Sequence, residues 1–137
     1  MVERSAVRIL VLDDESFMLK LLSRILFNLG FTSVTLCDSG RAALERIGDT
    51  DSHPNLILLD LNMPEMDGIE FVRHLVGRHY TGSLILVSGE DERILQTAEK
   101  LVQAHKIQIL GHLHKPVKPD TVAALLEKWT RPSTDGP

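Results

Sequence analysis

The 137-residue sequence predicts an open α/β fold in which five parallel strands alternate with five helices. Two observations support this prediction. Short segments rich in Val, Ile and Leu are each followed by a stretch in which apolar residues recur at helical spacing. Most of these apolar segments also end directly in a charged or hydroxyl-bearing residue. Alternating strands and helices imply parallel βαβ units, with helices on both faces of one sheet.

The first part of the chain predicts two strand–helix units. Residues 7–12 are rich in Val, Ile and Leu, which indicates a strand buried on both faces, and the pair Asp13–Asp14 follows it directly. Gly30 is well placed to end the next helix. The apolar positions of that helix are Phe17, Leu21, Leu22, Ile25, Leu26 and Leu29. A second strand over 32–37 then leads into a short helix that continues through Ile47.

The stretch from Leu56 to Gly68 is the most informative part of the chain. Four consecutive apolar residues, 56–59, end in Asp60, and Pro64 follows in the next loop. This pattern predicts a fully buried strand with Asp60 at its carboxyl end. Ligands of open α/β sheets bind at that edge, although an isolated aspartate there is often only a turn residue. The interpretation therefore depends on which other residues reach the same edge.

The second half of the chain predicts three further helices and two strands. A helix after Gly68 stops near Gly77, and the last helix begins at Pro119 and runs to about Trp129. The elements between them are a strand over 84–87 ending in Ser88-Gly89, a helix over 90–105, and a strand over 107–113 ending in His114-Lys115-Pro116.

Length and composition indicate one ordinary globular domain. We expect that domain over residues 1–130, with 131–137 as a linker or tail. A net charge of −4 gives no reason to expect binding to nucleic acid or to an anionic membrane. The single cysteine, Cys37, excludes a disulfide framework within the chain. With no signal-peptide core and no apolar run of membrane-spanning length, a cytoplasmic location is expected.

Five polar residues follow the predicted strands: Asp13 and Asp14, Asp60, Ser88, and Lys115. The carboxyl ends of parallel strands share one edge of the sheet, so these side chains would meet in one pocket in the strand order 2-1-3-4-5. Each residue alone has a simpler explanation as a cap, a loop hydroxyl or a solvated charge. Periodicity does not choose between this strand order and the Rossmann order.

The charges in such a pocket require compensation. Two carboxylates about 4 Å apart repel by about 4 kcal/mol at an effective dielectric near 20, so three need either protons or a cation beside them. The carboxylates of Asp13, Asp14 and Asp60 with the ammonium of Lys115 sum to −2, which a divalent ion would neutralise. All-oxygen ligation favours a hard ion such as Mg²⁺. The Lys115 ammonium, the Ser88 hydroxyl and the metal ion together would form a binding site for a phosphoryl group.

These motifs resemble the receiver domain of bacterial two-component response regulators. The resemblance covers nearly everything from Val7 to Trp129. It rests on Asp13-Asp14, the stretch from Leu59 to Gly68, Ser88-Gly89 and Lys115-Pro116. It implies a flavodoxin-like (βα)5 fold with strand order 2-1-3-4-5.

The resemblance also implies roles for individual residues. Asp60 would be the phosphoacceptor, Lys115 would contact the phosphoryl group, and Ser88 would hydrogen-bond it after transfer. The peptide bond between Lys115 and Pro116 would be cis. The Mg²⁺ ligands would be Asp14, Asp60 and the backbone carbonyl of Asn62, with Asp13 acting through water.

The partners are also implied by the resemblance. A histidine kinase or a phosphotransfer protein would supply the phosphoryl group. Phosphorylation would then change the surface formed by the fourth helix, the fifth strand and the fifth helix. This surface would control an output domain or partner protein, and formation of a homodimer would be one way to do so. The chain from 90 to 116 is similar to receivers that precede EAL-type cyclic-di-GMP phosphodiesterase domains.

Residues near the pocket bear on switching and on the lifetime of the phosphoryl group. Asn62 and Glu90 occupy positions that influence hydrolysis in receivers, and this pair resembles that of the chemotaxis-type receivers, so we expect a short-lived phosphoryl state. The loop that contains Gly89 would be drawn in by Ser88. His112 stands where many receivers have Tyr or Phe, so the usual aromatic switch is expected to differ here.

Two other functions fit parts of the pattern. A phosphatase of the haloacid dehalogenase type also uses an aspartyl nucleophile, but it typically has a second Asp where this chain has Asn62. A phosphate-independent pseudo-receiver would bind partners without chemistry, which gives the acidic cluster no role. His112 and His114 could also hold a metal as a pair, although no third ligand is evident.

Overall fold

The computed structural model describes residues 4–48, 53–63, 68–89, 92–103 and 107–130. The strands are β1 (Arg8–Leu12), β2 (Ser33–Cys37), β3 (Leu56–Asp60), β4 (Ser83–Ser88) and β5 (Gln108–His114). The α-helices are α1 (Ser16–Asn28), α2 (Gly40–Ile47), α3 (Gly68–Gly77), α4 (Glu92–Gln103) and α5 (Pro119–Thr130). The tail predicted over 131–137 lies outside the described residues.

The strands form one parallel sheet in the order β2-β1-β3-β4-β5, which confirms the predicted fold. The register aligns the carboxyl ends of neighbouring strands. Leu12 lies opposite both Cys37 and Leu59, and Asp60 lies opposite Val87. The residues that follow β1, β3, β4 and β5 therefore emerge at one edge.

Two hydrophobic cores cover the two faces of the sheet. One contains buried side chains of α2, α3 and α4, and the other contains those of α1 and α5. Successive residues of β3 point to opposite cores: Ile57 and Leu59 to the first, Leu56 and Leu58 to the second. Since every residue of β3 is buried, its unbroken apolar run is what a central parallel strand requires.

Helix α1 shows one difference from the sequence-based expectation. The predicted apolar series includes Phe17, but its side chain is 71% exposed. The buried positions are instead Met18, Leu22, Ile25 and Leu26, which recur at the i, i+4, i+7 and i+8 spacing of one helical face. Phe17 lies one residue, and therefore about 100°, away from that face.

The helix ends follow the predicted signals. Gly30 adopts a left-handed φ of 97° just beyond α1, where glycine carries no Cβ penalty. The Ser39 hydroxyl accepts a hydrogen bond from the Ala42 amide and so caps α2. Helix α5 begins at Pro119, whose missing N–H is not needed in a first turn. Across the described ranges, no helix has the length and hydropathy needed to span a membrane.

Candidate functional site

The carboxyl edge of the sheet gathers three buried polar side chains. Asp60 ends β3, Ser88 ends β4, and Asp13 follows β1, and each is only 1% exposed. Their strands are apolar on both faces, so packing of the neighbouring residues fixes where these three side chains emerge. The strand register places the two side chains at the ends of β3 and β4 on neighbouring strands.

Hydrogen bonds to the backbone orient the two buried aspartates. One oxygen of Asp13, Oδ1, accepts a hydrogen bond from the Glu15 amide at 2.8 Å. One oxygen of Asp60, Oδ1, accepts from the Asn62 amide at 3.0 Å. Both are local turns of the kind that Asp favours. In each residue this leaves the second oxygen, Oδ2, available to the pocket.

Lys115 reaches this pocket from the loop after β5. Its ammonium nitrogen, Nζ, lies 3.4 Å from Asp60 Oδ2 and 3.7 Å from Asp13 Oδ2. It is closest to Glu15, whose Oε1 accepts a hydrogen bond from it at 3.0 Å. The Lys115 amide also donates to the Ser88 carbonyl at 2.9 Å, which fixes the start of the loop. The peptide bond between Lys115 and Pro116 is cis.

The strand ends are also linked to each other. The Asn62 side-chain oxygen accepts a hydrogen bond from the Gly89 amide at 3.1 Å, which joins the loops after β3 and β4. The Asp13 amide donates to the Cys37 carbonyl at 3.1 Å, and the Gly68 amide donates to the Leu61 carbonyl at 3.2 Å. These bonds give the edge of the sheet a defined geometry.

Burial perturbs the charges of the site. Burial raises the pKa of Asp13 to about 6, and the neighbouring Asp60 charge raises it further against the effect of Lys115. Burial and the charge of Asp60 also raise the pKa of Asp14. For Lys115, burial lowers the pKa, but the hydrogen bond to Glu15 and the charges of Asp60 and Asp13 outweigh it and raise the pKa overall. The site therefore carries more negative charge than Lys115 balances.

Two buried polar atoms of the described residues have no hydrogen-bond partner: Asp13 Oδ2 and Ser88 Oγ. Buried polar groups usually have a hydrogen-bond partner, so these two atoms are able to accept from or donate to a bound group. Carboxylate oxygens of Asp13, Asp14 and Glu15 also lie within 4.8 Å of one another. An oxygen-only donor set with excess negative charge suits Mg²⁺, so the residues fit the ion that the sequence predicts.

Most of the predicted site residues come together here. Asp13, Asp14, Asp60, Ser88 and Lys115 meet at the edge, and Asn62 and Gly89 are hydrogen-bonded beside them. Glu90 lies outside the described residues, as does the loop of residues 64–67. Sequence reasoning missed Glu15, although a third acidic residue directly after Asp13-Asp14 was a signal that could have indicated it.

His112 is separate from this cluster. It lies exposed on β5, opposite Leu86, and its ring meets the ring of His114 edge to face with centroids 5.1 Å apart. Since Leu86 belongs to the core under α2, α3 and α4, His112 is on that face of the sheet. The residue three positions before Lys115, where Tyr or Phe is usual in receivers, is thus an exposed histidine in this chain.

Comparison with known proteins identifies the family. The sequence profile described as "Response regulator receiver domain" matches residues 9–127. The chain belongs to this family. Receiver domains are signalling domains of two-component systems, so the chain is a CheY-like signalling domain and not an enzyme of the usual kind.

Individual relatives agree with this assignment. The receiver domain is 26% identical to the chemotaxis protein CheY of Thermotoga maritima, covering 90% of this chain and 98% of CheY. It is 29% identical to the positive alginate biosynthesis regulatory protein of Pseudomonas aeruginosa, covering 93% of this chain. The chain spans about half of that regulator, 48% of its length.

A solved structure agrees as well. A response regulator from Colwellia psychrerythraea is 32% identical and superimposes with a TM-score of 0.76, covering 90% of this chain and 95% of that one. The agreement extends over nearly the full length of both chains. The fold of this receiver domain is therefore that of its solved relatives.

The raised pKa of Asp13 predicts how stability depends on pH. Because its folded-state pKa of about 6 exceeds the ordinary value of 3.8, the folded protein binds the proton more tightly than the unfolded chain. This contribution to stability is present below pH 3.8 and is lost as the pH rises through about 6. At about pH 8 without divalent ions, Asp13→Asn should therefore raise the free energy of unfolding by about 1–3 kcal/mol.

Urea denaturation at a series of pH values measures this effect, with Asp38→Asn, an exposed aspartate, as the matched control. The gain should disappear near about pH 4 and should shrink in saturating Mg²⁺. A gain that is independent of pH would contradict the assignment of the raised pKa to Asp13.

Proposed function

We propose that this receiver domain accepts a phosphoryl group on Asp60 from a histidine kinase or phosphotransfer protein. The observation that carries the proposal is the arrangement around Asp60 Oδ2. This buried oxygen lies 3.4 Å from the Lys115 ammonium, and the pocket edge also carries the unpartnered Ser88 hydroxyl. A nucleophile, a cation and a free donor are the groups that phosphoryl transfer needs.

The transfer itself follows from the chemistry of these groups. A carboxylate oxygen of Asp60 attacks phosphorus, and the bond from phosphorus to the donor nitrogen breaks, which leaves an acyl phosphate. The hydrogen bond from the Asn62 amide holds the carboxylate in place at its other oxygen. Lys115 balances the charge of the phosphoryl oxygens, and the Ser88 hydroxyl donates to one of them.

Mg²⁺ would be held by Asp13, Asp14, Asp60 and the backbone carbonyl of Asn62. When bound, it would supply positive charge that neutralises the phosphoryl oxygens during transfer. Oδ2 of Asp13 accepts no hydrogen bond and has only the 3.7 Å ion pair with Lys115, which supports a ligand at this point, whether directly or through water. Glu15 adds a further carboxylate to the same group.

The signal would leave the domain through α4, β5 and α5. When Ser88 moves toward the phosphoryl group, it pulls the loop at Gly89 in the same direction. This loop precedes α4 in the chain. His112 lies on the neighbouring strand β5, so its imidazole takes the place of an aromatic ring in the change. The recipient would be an output domain or partner protein of the cytoplasm, with an EAL-type cyclic-di-GMP phosphodiesterase as one form and a homodimer as one route. No nucleic acid or membrane contact by this domain is proposed.

Phosphorylation of the intact protein tests the proposal. Acetyl phosphate or phosphoramidate with Mg²⁺ should add one phosphoryl group to the wild type, as measured by intact-mass spectrometry. The adduct should be absent without Mg²⁺ and absent in Asp60→Asn, because the amide of asparagine does not supply the carboxylate oxygen that attacks phosphorus. Asp38→Asn, in which an exposed aspartate is replaced, should be phosphorylated like the wild type. Failure to form any adduct, with beryllofluoride also failing to bind, would favour a phosphate-independent binding module instead.

The phosphoryl group on Asp60 should be short-lived. Asn62 and Glu90 together resemble the pair of the chemotaxis-type receivers, which lose their phosphoryl group quickly. After rapid removal of the donor into Mg²⁺ buffer, the adduct should decay within minutes. A phosphorylated form that persists for hours under these conditions would overturn this expectation.

A further inference from the structure

Glu15 makes the shortest contact of the Lys115 ammonium. Its Oε1 lies 3.0 Å from Nζ, compared with 3.4 Å for Asp60 and 3.7 Å for Asp13. The two residues are 100 positions apart in the chain, so the contact is made by the fold and not by local sequence. The shortest contact of Lys115 is therefore with a residue that is neither the proposed phosphoacceptor nor one of the four residues proposed to hold Mg²⁺.

The backbone position of Glu15 makes this contact notable. Glu15 is the N-cap of α1, where a side chain usually accepts a hydrogen bond from the first turn of the helix. Its side chain makes no such capping bond and reaches Lys115 instead. The Leu19 amide still bonds the Glu15 backbone carbonyl at 3.1 Å, so the helix begins normally without the side chain. The carboxylate is thus free to act on Lys115.

The Glu15 and Asp60 side chains differ in exposure, which predicts that the ion pair between Glu15 and Lys115 can break reversibly. The Glu15 side chain is 58% exposed, whereas that of Asp60 is 0% exposed. An exposed ion pair is weak because water screens it, while a charge formed in the buried part of the site is screened less. A phosphoryl group on Asp60 would bring additional negative charge to that buried position. Lys115 would then leave Glu15 for the phosphoryl oxygens.

We propose that Glu15 is a positioning residue that holds Lys115 at the rim of the acidic site at rest and releases it when a phosphoryl group forms on Asp60. The inference rests on the proposed function, because it assumes that the buried carboxylates bind Mg²⁺ and that Asp60 is phosphorylated. At rest, the contact with Glu15 at 3.0 Å keeps the ammonium at the longer distances of 3.4 Å from Asp60 and 3.7 Å from Asp13, so these two carboxylates are only weakly paired with it and can still bind a cation. Without Glu15, Lys115 would move toward these carboxylates and compete with Mg²⁺.

Isothermal titration with Mg²⁺ tests this competition. Glu15→Gln should weaken Mg²⁺ binding by roughly three- to tenfold, through loss of a nearby charge and through inward movement of Lys115. Glu127→Gln is the matched control, since it removes the charge of an exposed glutamate in α5, and it should leave Mg²⁺ affinity unchanged. Thermal unfolding of each variant checks that it is folded.

A double-mutant cycle separates the role of Lys115 from the charge of Glu15 alone. In a Lys115→Met background, Glu15→Gln should weaken Mg²⁺ binding by at most about twofold, because only the direct charge effect remains. An equal factor in both backgrounds would overturn the inference. So would an unchanged affinity of the single Glu15→Gln variant.

Beryllofluoride binding gives a second measurement that does not depend on turnover. In saturating Mg²⁺, fluorine NMR of Glu15→Gln should show half-saturation at a beryllofluoride concentration several-fold below that of the wild type, because Lys115 no longer has to leave Glu15. An unchanged or higher concentration contradicts the inference. If the wild type binds both Mg²⁺ and beryllofluoride, this contradictory result for Glu15→Gln overturns only the role proposed for Glu15. If the wild type binds neither, the proposed function fails as well.

Discussion

The burial of two aspartates at one edge of the sheet is the constraint on which the rest of the site depends. Asp13 and Asp60 are almost fully buried, Asp14 adds a third carboxylate, and Lys115 compensates only part of their charge. A buried charge without compensation is costly, and here the cost appears as the raised pKa of Asp13. A divalent cation bound by these carboxylates would relieve this cost.

The sheet is built to maintain this arrangement. The apolar strand β3 is buried throughout, so Asp60 cannot shift along it without moving leucines out of both cores. The backbone bonds to Asp13 and Asp60, and the link between Asn62 and Gly89, fix the loops that carry the polar groups. Stability is supplied by the cores, and the function is located where the strands end.

The residue pattern predicted the fold class and most of the residues that meet at the sheet edge for physical reasons, whereas the strand order followed from the family resemblance. Apolar runs that stop at Asp60 and Ser88 locate the sheet edge, since the side chains change from apolar to polar there. The exposure of Phe17 was missed because hydrophobicity alone does not decide which of two adjacent apolar residues faces the core. The contact of Glu15 with Lys115 was missed because it joins residues 100 positions apart and depends on side-chain direction.

Thermal unfolding of the wild type as a function of Mg²⁺ concentration tests the central claim, that the carboxylate edge is a cation site, most directly. At about pH 8 and constant ionic strength, the unfolding midpoint should rise with Mg²⁺, and a concentration about ten times Kd should add about 1.4 kcal/mol of stability. The same titration of Asp13→Asn should show a smaller rise. A midpoint that is independent of Mg²⁺ in the wild type would contradict the claim.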